Sequence, residues 1–128
     1  LFDICPRPLM VNFGGDIRVM GDMSNREPWT VGIESPEQGD DPIGHISLTR
    51  GAVATSGVAY RYCLVNGRRL GHILNPKTGW PVDGAPKGVT VIADLCTEAG
   101  LLATLAMLQG QNAESFLRDQ GVRFHCVR

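Results

Sequence analysis

The sequence predicts an α/β domain of the α+β kind, in which a mostly antiparallel sheet is packed by a pair of helices near the C-terminus. Three observations carry that expectation. From Leu9 to Ala93 the apolar residues come in short, largely β-branched runs broken by Gly, Pro and Asn. Two of those runs are separated only by Asn66-Gly67, a dipeptide suited to a type I′ hairpin turn. Helical spacing begins only after Ala93, with Leu101, Leu102, Leu105 and Leu108 recurring on one face.

Taken in order, Leu9 to Phe13 and Ile17 to Met20 read as strand pieces around the break Gly14-Gly15-Asp16. Adjacent glycines in a strand pattern cost stability and mark a bulge or a close backbone approach. Trp29 to Ile33 is a further strand, followed from Glu34 to Gly44 by an aperiodic Pro/Gly/acid-rich loop expected to be flexible. His45 to Thr49 and Val53 to Thr55 are short strands; Tyr60 to Val65 and Arg69 to Leu74 pair across Asn66-Gly67. Gly88 to Ala93 is a continuous strand. Thr97 is placed to cap the first helix and Gly110 to close it. Asn112 can cap a second helix with Ala113, Phe116 and Leu117 on its apolar face; Gly121 ends it before a last strand, Val122 to Val127. There are no internal repeats or low-complexity tracts.

The bulk numbers narrow the function. At 128 residues the chain is one domain's worth, enough to bury ~65–70% of its unfolded surface. Its 12 Lys+Arg against 13 Asp+Glu, without a basic block, argue against nucleic acid as the main partner. Cys5, Cys63, Cys96 and Cys126 have no metal-ligand spacing and are expected to be buried free thiols rather than a disulfide framework. No run of about 18 apolar residues predicts a membrane span, and no signal peptide is visible. A beginning at Leu1, almost directly on a strand, implies an upstream part of the protein.

Four places carry chemistry. The segment Gly71 to Pro81 presents an imidazole, an amide, a hydroxyl, an ammonium group and an indole within about ten residues, on a turn begun by Asn75-Pro76 and released by Gly79. It reads as a loop that grips an anionic, ring-bearing ligand; His72 in it either orients a phosphate, acts as a general base, or is structural. Gly14-Gly15-Asp16 is either a bulge with an Asp-stabilised turn or a place where backbone N–H meets phosphate while Asp16 accepts from a sugar hydroxyl. Thr55-Ser56-Gly57 is either an ordinary turn or a set of uncharged donors for phosphate oxygens. On the first helix, residues 100 and 104 share a face: Thr104 offers a hydroxyl and Gly100 offers nothing, while Glu98 reads as a solvated residue favourable to the helix dipole. Trp29 and Trp80 are expected to be partly buried, and His45 and His125 receive no function.

Read together and in order, Val11 to Arg18, Trp29 to Ile33, Val53 to Gly57, His72 to Pro81 and Val89 to Ala93 resemble the C-terminal half of the ApbE family. Its members are Mg²⁺-dependent FAD:protein FMN transferases, which cleave FAD and attach FMN to a threonine or serine hydroxyl of a target flavoprotein. The resemblance covers the chain from about Leu9 onward and implies a fold related to the T-fold. It further implies that Gly14, Gly15 and Asp16 belong to the flavin nucleotide site, as do Thr55, Ser56 and Gly57. His72, Asn75, Pro76, Thr78 and Gly79 match a loop that lies against FAD, with His72 catalytic. Thr104 would serve the metal.

Two departures from the family pattern stand out. Gly100 occupies the place of an Asp that serves the metal four residues before Thr104, so a hard cation loses a charged oxygen ligand; Val58 likewise replaces a polar residue. The family's N-terminal half is missing, so residues 1–128 correspond to the C-terminal portion and the missing half becomes an expected partner, beside FAD and an acceptor flavoprotein. The reading is therefore an FMN transferase using FAD and Mg²⁺. Its alternatives are an FAD-binding or scaffold homologue without transfer, and a structural module working only with its missing half. By family analogy the location is periplasmic or on a membrane-anchored lipoprotein, with a cytoplasmic location left open.

Overall fold

The computed structural model describes residues 7–23, 26–35, 41–58 and 61–128. Its elements are β1 (Leu9–Phe13), β2 (Asp16–Met20), β3 (Trp29–Ile33), β4 (Gly44–Leu48), β5 (Arg50–Gly57), β6 (Tyr62–Val65), β7 (Arg68–Gly71), β8 (Gly88–Ala93), α1 (Cys96–Leu108), a 3₁₀ turn (Gly110–Asn112), α2 (Ala113–Asp119) and β9 (Arg123–Val127). Five strands form one antiparallel sheet in the order β1-β2-β5-β8-β9, while β3-β4 and β6-β7 are separate two-stranded ribbons. The expected architecture is the one observed. Tyr60, Cys5 and residues 36–40 of the loop expected to be flexible lie outside the described residues. No helix among the described residues is long and apolar enough to cross a membrane.

Turn chemistry explains two of the hairpins. Asn66 and Gly67 both have positive φ, 50° and 75°, as a type I′ turn requires. Gly14 and Gly15, at φ 66° and 101°, make the same kind of two-residue turn, so β1 and β2 pair directly with Phe13 opposite Asp16. The glycine pair is thus a hairpin turn and not the bulge within a strand that its sequence also allowed. Asn12, rather than Asp16, stabilises it: its Oδ1 accepts the Gly15 N–H at 3.0 Å.

The pleat of the central strands sends alternate residues to two cores. On one face Ala54, Val89 and Val91 pack against Ala99, Ala103, Ala106 and Met107 of α1 and against Ala113 and Leu117. On the other, Val19 and Val53 meet Val31, Ile33, Ile46 and Leu48 of the β3-β4 ribbon. Helix α1 departs from expectation on its packed face. Its buried residues are Ala99, Ala103, Ala106 and Met107, whereas Leu101 is 60% exposed and Leu102, Leu105 and Leu108 are half-buried. The β-branched side chains of β8 fill the space, so methyl groups on the helix are what fit at close range. The helix also starts earlier than Thr97 would place it: Leu95 is the cap, without a side-chain cap bond, and its carbonyl receives the Ala99 N–H at 3.0 Å.

Near the C-terminus, Arg128 ties β9 to the helix junction. Its Nε donates to Glu114 Oε1 at 2.7 Å, its Nη2 to Glu114 Oε2, and its remaining N–H groups to the carbonyls of Gly84, Gly110 and Gln111 at 3.0, 3.4 and 3.1 Å. Among the described residues the free cysteines are Cys63, Cys96 and Cys126. Cys63 is exposed on the β6-β7 ribbon, against the expectation of burial, because no residue of that separate ribbon joins either core among the described residues. Cys126 is half-buried, and burial first and Glu114 second push its thiol up to about 11.

Leu117 is fully buried, so Leu117→Ala should cost about 2–5 kcal/mol of unfolding free energy in a denaturant titration. The hydrogen bonds from Arg128 hold the Glu114 carboxyl at about 2, below the ordinary 4.5. A depressed folded-state value means that the stabilisation is complete above pH ~4.5 and fades as pH falls towards ~2. Glu114→Gln should lower the melting temperature at neutral pH and flatten its decline across that acidic window.

Candidate functional site

The strand ends, the β1-β2 turn and α1 surround a cleft of about 560 Å³. Into it come Gly14, Gly15 and Asp16 from the turn, Thr55, Ser56 and Gly57 from the end of β5, His72 from the loop after β7, and Gly100 and Thr104 from α1. Residues distant in sequence and selected for separate reasons thus share one surface.

Pleat geometry sets the roles of the two hydroxyls of β5. Thr55 pairs with Thr90 of β8, and their Oγ1 atoms lie 2.8 Å apart. Ser56 points to the opposite face, where its Oγ is 2.9 Å from Thr104 Oγ1. This second contact stitches the end of β5 to α1 at the floor of the cleft. Each hydroxyl pair uses one hydrogen between two oxygens, so each retains a donor and acceptor capacity for a ligand.

Position 100 borders the same corner. A Cβ there would stand 3.8 Å from Asp16 Oδ2 and 3.8 Å from Ala54 Cβ, which is ordinary contact. A Cβ there would displace neither neighbour and would bring position 100 into contact range of the Asp16 carboxylate. Burial chiefly, and the Asp16 charge next, push up the nearby Cys96 thiol while Arg18 opposes them. Both effects disfavour the thiolate, the form that reacts.

His72 is held by the backbone of Arg61. The His72 N–H donates to Arg61 O at 3.2 Å, and Nδ1 lies 3.0 Å from the same oxygen. A carbonyl only accepts, so Nδ1 carries the hydrogen and the lone pair of the neutral ring is on Nε2. This is the tautomer that a general base needs when its second nitrogen faces the reactant.

The rest of the loop is built differently from the cleft. Asn75 Oδ1 accepts the Lys77 N–H at 2.9 Å, Asn75 O accepts the Thr78 and Gly79 N–H groups at 3.2 and 2.8 Å, and the Asn75 N–H reaches Trp80 O at 2.8 Å. Thr78 Oγ1 accepts the Trp80 N–H at 3.3 Å. Asn75, Pro76, Thr78 and Gly79 do not line the first cleft. Gly79 instead borders a second, more apolar cleft of about 520 Å³ with Arg61, His72, Leu74 and Trp80. Trp80 is 68% exposed, not partly buried as its sequence context implied. Trp29 is half-buried, its indole N–H donating to Gly21 O at 2.8 Å. His72 and Arg61 line both clefts and so divide them.

Two cationic residues of the first cleft, Arg61 and Lys87, were not singled out from the sequence. The signal for Arg61 was present. The two-residue turn at Asn66-Gly67 fixes the β6-β7 register, and one step beyond the Tyr62–Gly71 pair sets Arg61 across from His72. Lys87 precedes β8 and carries no comparable mark; its N–H binds Val127 O at 2.7 Å. Among the described residues no group of three His, Cys, Asp or Glu side chains could hold a metal. The oxygen donors of the α1 corner, one carboxylate and two hydroxyls, are nevertheless compatible with Mg²⁺, which is bound through one or two carboxylates together with water and substrate phosphates.

Comparison with known proteins agrees with this geometry. The FAD:protein FMN transferase of Klebsiella pneumoniae is 30% identical over 120 residues, which cover 92% of this chain and 34% of that protein. The crystal structure of the ApbE protein from Thermotoga maritima superposes with a TM-score of 0.82 at 37% identity, covering 93% of this chain and 39% of the other. The apo flavinyl transferase ApbE from Pseudomonas stutzeri gives 0.79 at 27% identity, covering 95% and 38%. The chain therefore spans about a third of the length of the curated relatives it matches. The sequence profile of the ApbE family matches residues 7–126, and with a mixed fold shared with solved flavin transferases the chain belongs to the ApbE family.

Proposed function

We propose that this chain forms part of an FAD:protein FMN transferase, contributing the cleft in which FAD is cleaved and FMN passes to a serine or threonine hydroxyl of an acceptor flavoprotein. The observation that carries this reading is the meeting of the β1-β2 turn, Thr55 to Gly57, His72 and Thr104 on one cleft of about 560 Å³, a volume in the range of nucleotide-sized ligands. The chain's similarity to the FAD:protein FMN transferase of K. pneumoniae supports it.

In this reading the diphosphate of FAD lies between the hydroxyls of Thr55 and Ser56 and the cationic side chains of Arg61 and Lys87, which line the same cleft. Hydroxyl and cationic donors offset charge that builds up as the P–O–P bridge breaks. His72 Nε2 takes the proton from the acceptor hydroxyl. That oxygen then forms a bond to the phosphorus of the FMN half, the bridging P–O bond breaks, and AMP departs with the bridging oxygen and its electron pair. Thr104, with Ser56 bonded to it, would stand beside Mg²⁺. When bound, Mg²⁺ supplies positive charge to the non-bridging phosphate oxygens. Asn75 and Thr78 act at one remove, shaping the turn that follows His72.

Gly100 favours a second reading, an FAD-binding homologue without transfer, because it removes a charged ligand from the metal corner. Kinetics separates the two. With an acceptor peptide and mass detection of added FMN, His72→Ala should lower transfer by about 10²–10⁴-fold while leaving FAD affinity within about twofold of the parent. Equal losses of both would make His72 a binding residue, and tight FAD binding without transfer by the parent protein would support the second reading.

A further inference from the structure

We propose that Asp16 provides the charged oxygen of a divalent-cation site in this protein, taking over from position 100, where glycine has no donor to give. The inference rests on the functional reading above, since the phosphates of the bound nucleotide supply part of the coordination.

The corner of the cleft made by β2, β5 and α1 has the chemistry for it. Asp16 is exposed and lines the cleft, and its Oδ2 lies 3.8 Å from where a Cβ at position 100 would be. A carboxylate therefore already stands where a side chain at 100 would begin to reach. Thr104 follows Gly100 by one helical turn on the same face, and Ser56 Oγ is bonded to Thr104 Oγ1 at 2.9 Å. One carboxylate and two hydroxyls are thus brought to one cleft by three different elements.

Other carboxylates are less well placed. Glu34 lines the cleft, but it follows β3, which packs on the sheet face opposite α1. Glu98 is exposed in the first turn of α1 and does not line the cleft. A single carboxylate is a weak cage for a cation that dehydrates reluctantly, but is sufficient where phosphate oxygens and water complete an octahedron. The site is therefore expected to bind Mg²⁺ in concert with the nucleotide, and linkage requires that each tighten the other by the same factor.

The test is a titration of FAD, followed by flavin fluorescence, into the purified protein with and without Mg²⁺. Mg²⁺ should tighten FAD by about tenfold or more in the parent, within the usual range of coupling between sites. Asp16→Asn should reduce that effect to less than about twofold, and Asp16→Asn combined with Gly100→Asp should restore it, which a misfolded variant could not do. Four results would overturn the site: no effect of Mg²⁺ on the parent, an undiminished effect in Asp16→Asn, loss without recovery in the double variant, and no FAD binding at all. The first three leave the FAD reading standing, whereas the last removes both.

Discussion

The close seating of α1 on β5 and β8 is the constraint on which the rest of the site depends. Ala99, Ala103 and Ala106 face the sheet with nothing larger than a methyl group, and all three are fully buried. At that distance Thr104 meets Ser56 at 2.9 Å and the backbone at Gly100 faces Asp16. Leucines on that stripe would hold the helix away from the strands by the width of a side chain and part the two hydroxyls. Packing of small residues in the core and the geometry of the cleft are thus one feature seen at two scales, because interiors are packed too densely to absorb such a change locally.

The sheet contributes through its period of two. Successive residues at the end of β5 face opposite sides, so Thr55 joins Thr90 on one face while Ser56 joins Thr104 on the other. A cleft at the strand ends gathers donors from both sides of the sheet, which a cleft on one face could not do. His72 comes to it from a separate ribbon, and the Arg61 carbonyl that fixes its tautomer belongs to the residue whose side chain lines the same two clefts. Orientation of the imidazole and the charge around it are therefore coupled through one residue.

Much of this was legible in the sequence wherever local chemistry decides the outcome. Asn66-Gly67 could hardly be anything but a tight turn, since both residues tolerate positive φ, and Gly88 to Ala93 has the uninterrupted β-branched character of a buried strand. The packed face of α1 was not legible, because its alanines and its leucines both satisfy helical spacing and only the volume presented by Val89 and Val91 chooses between them. That the Asn75 and Thr78 side-chain oxygens accept hydrogen bonds within their own turn was not legible either, because residue type does not reveal which backbone N–H groups a turn brings to them. Arg61 and Lys87 went unremarked since isolated cations are ordinary on surfaces, and only the three-dimensional register brings them to the cleft. The nearness of Asp16 to position 100 has no trace in sequence spacing at all.

The proposed FAD site is the cleft at the ends of β5 and β8, between the β1-β2 turn and α1. The most direct measurement is a ¹H–¹⁵N correlation spectrum of the labelled protein as FAD is added. Binding there should place the largest shifts on the amides of Gly15, Ser56, Gly57, Gly88 and Thr104, all of which line that cleft. Shifts confined to the β3-β4 ribbon or to α2, with those five amides unmoved, would contradict it.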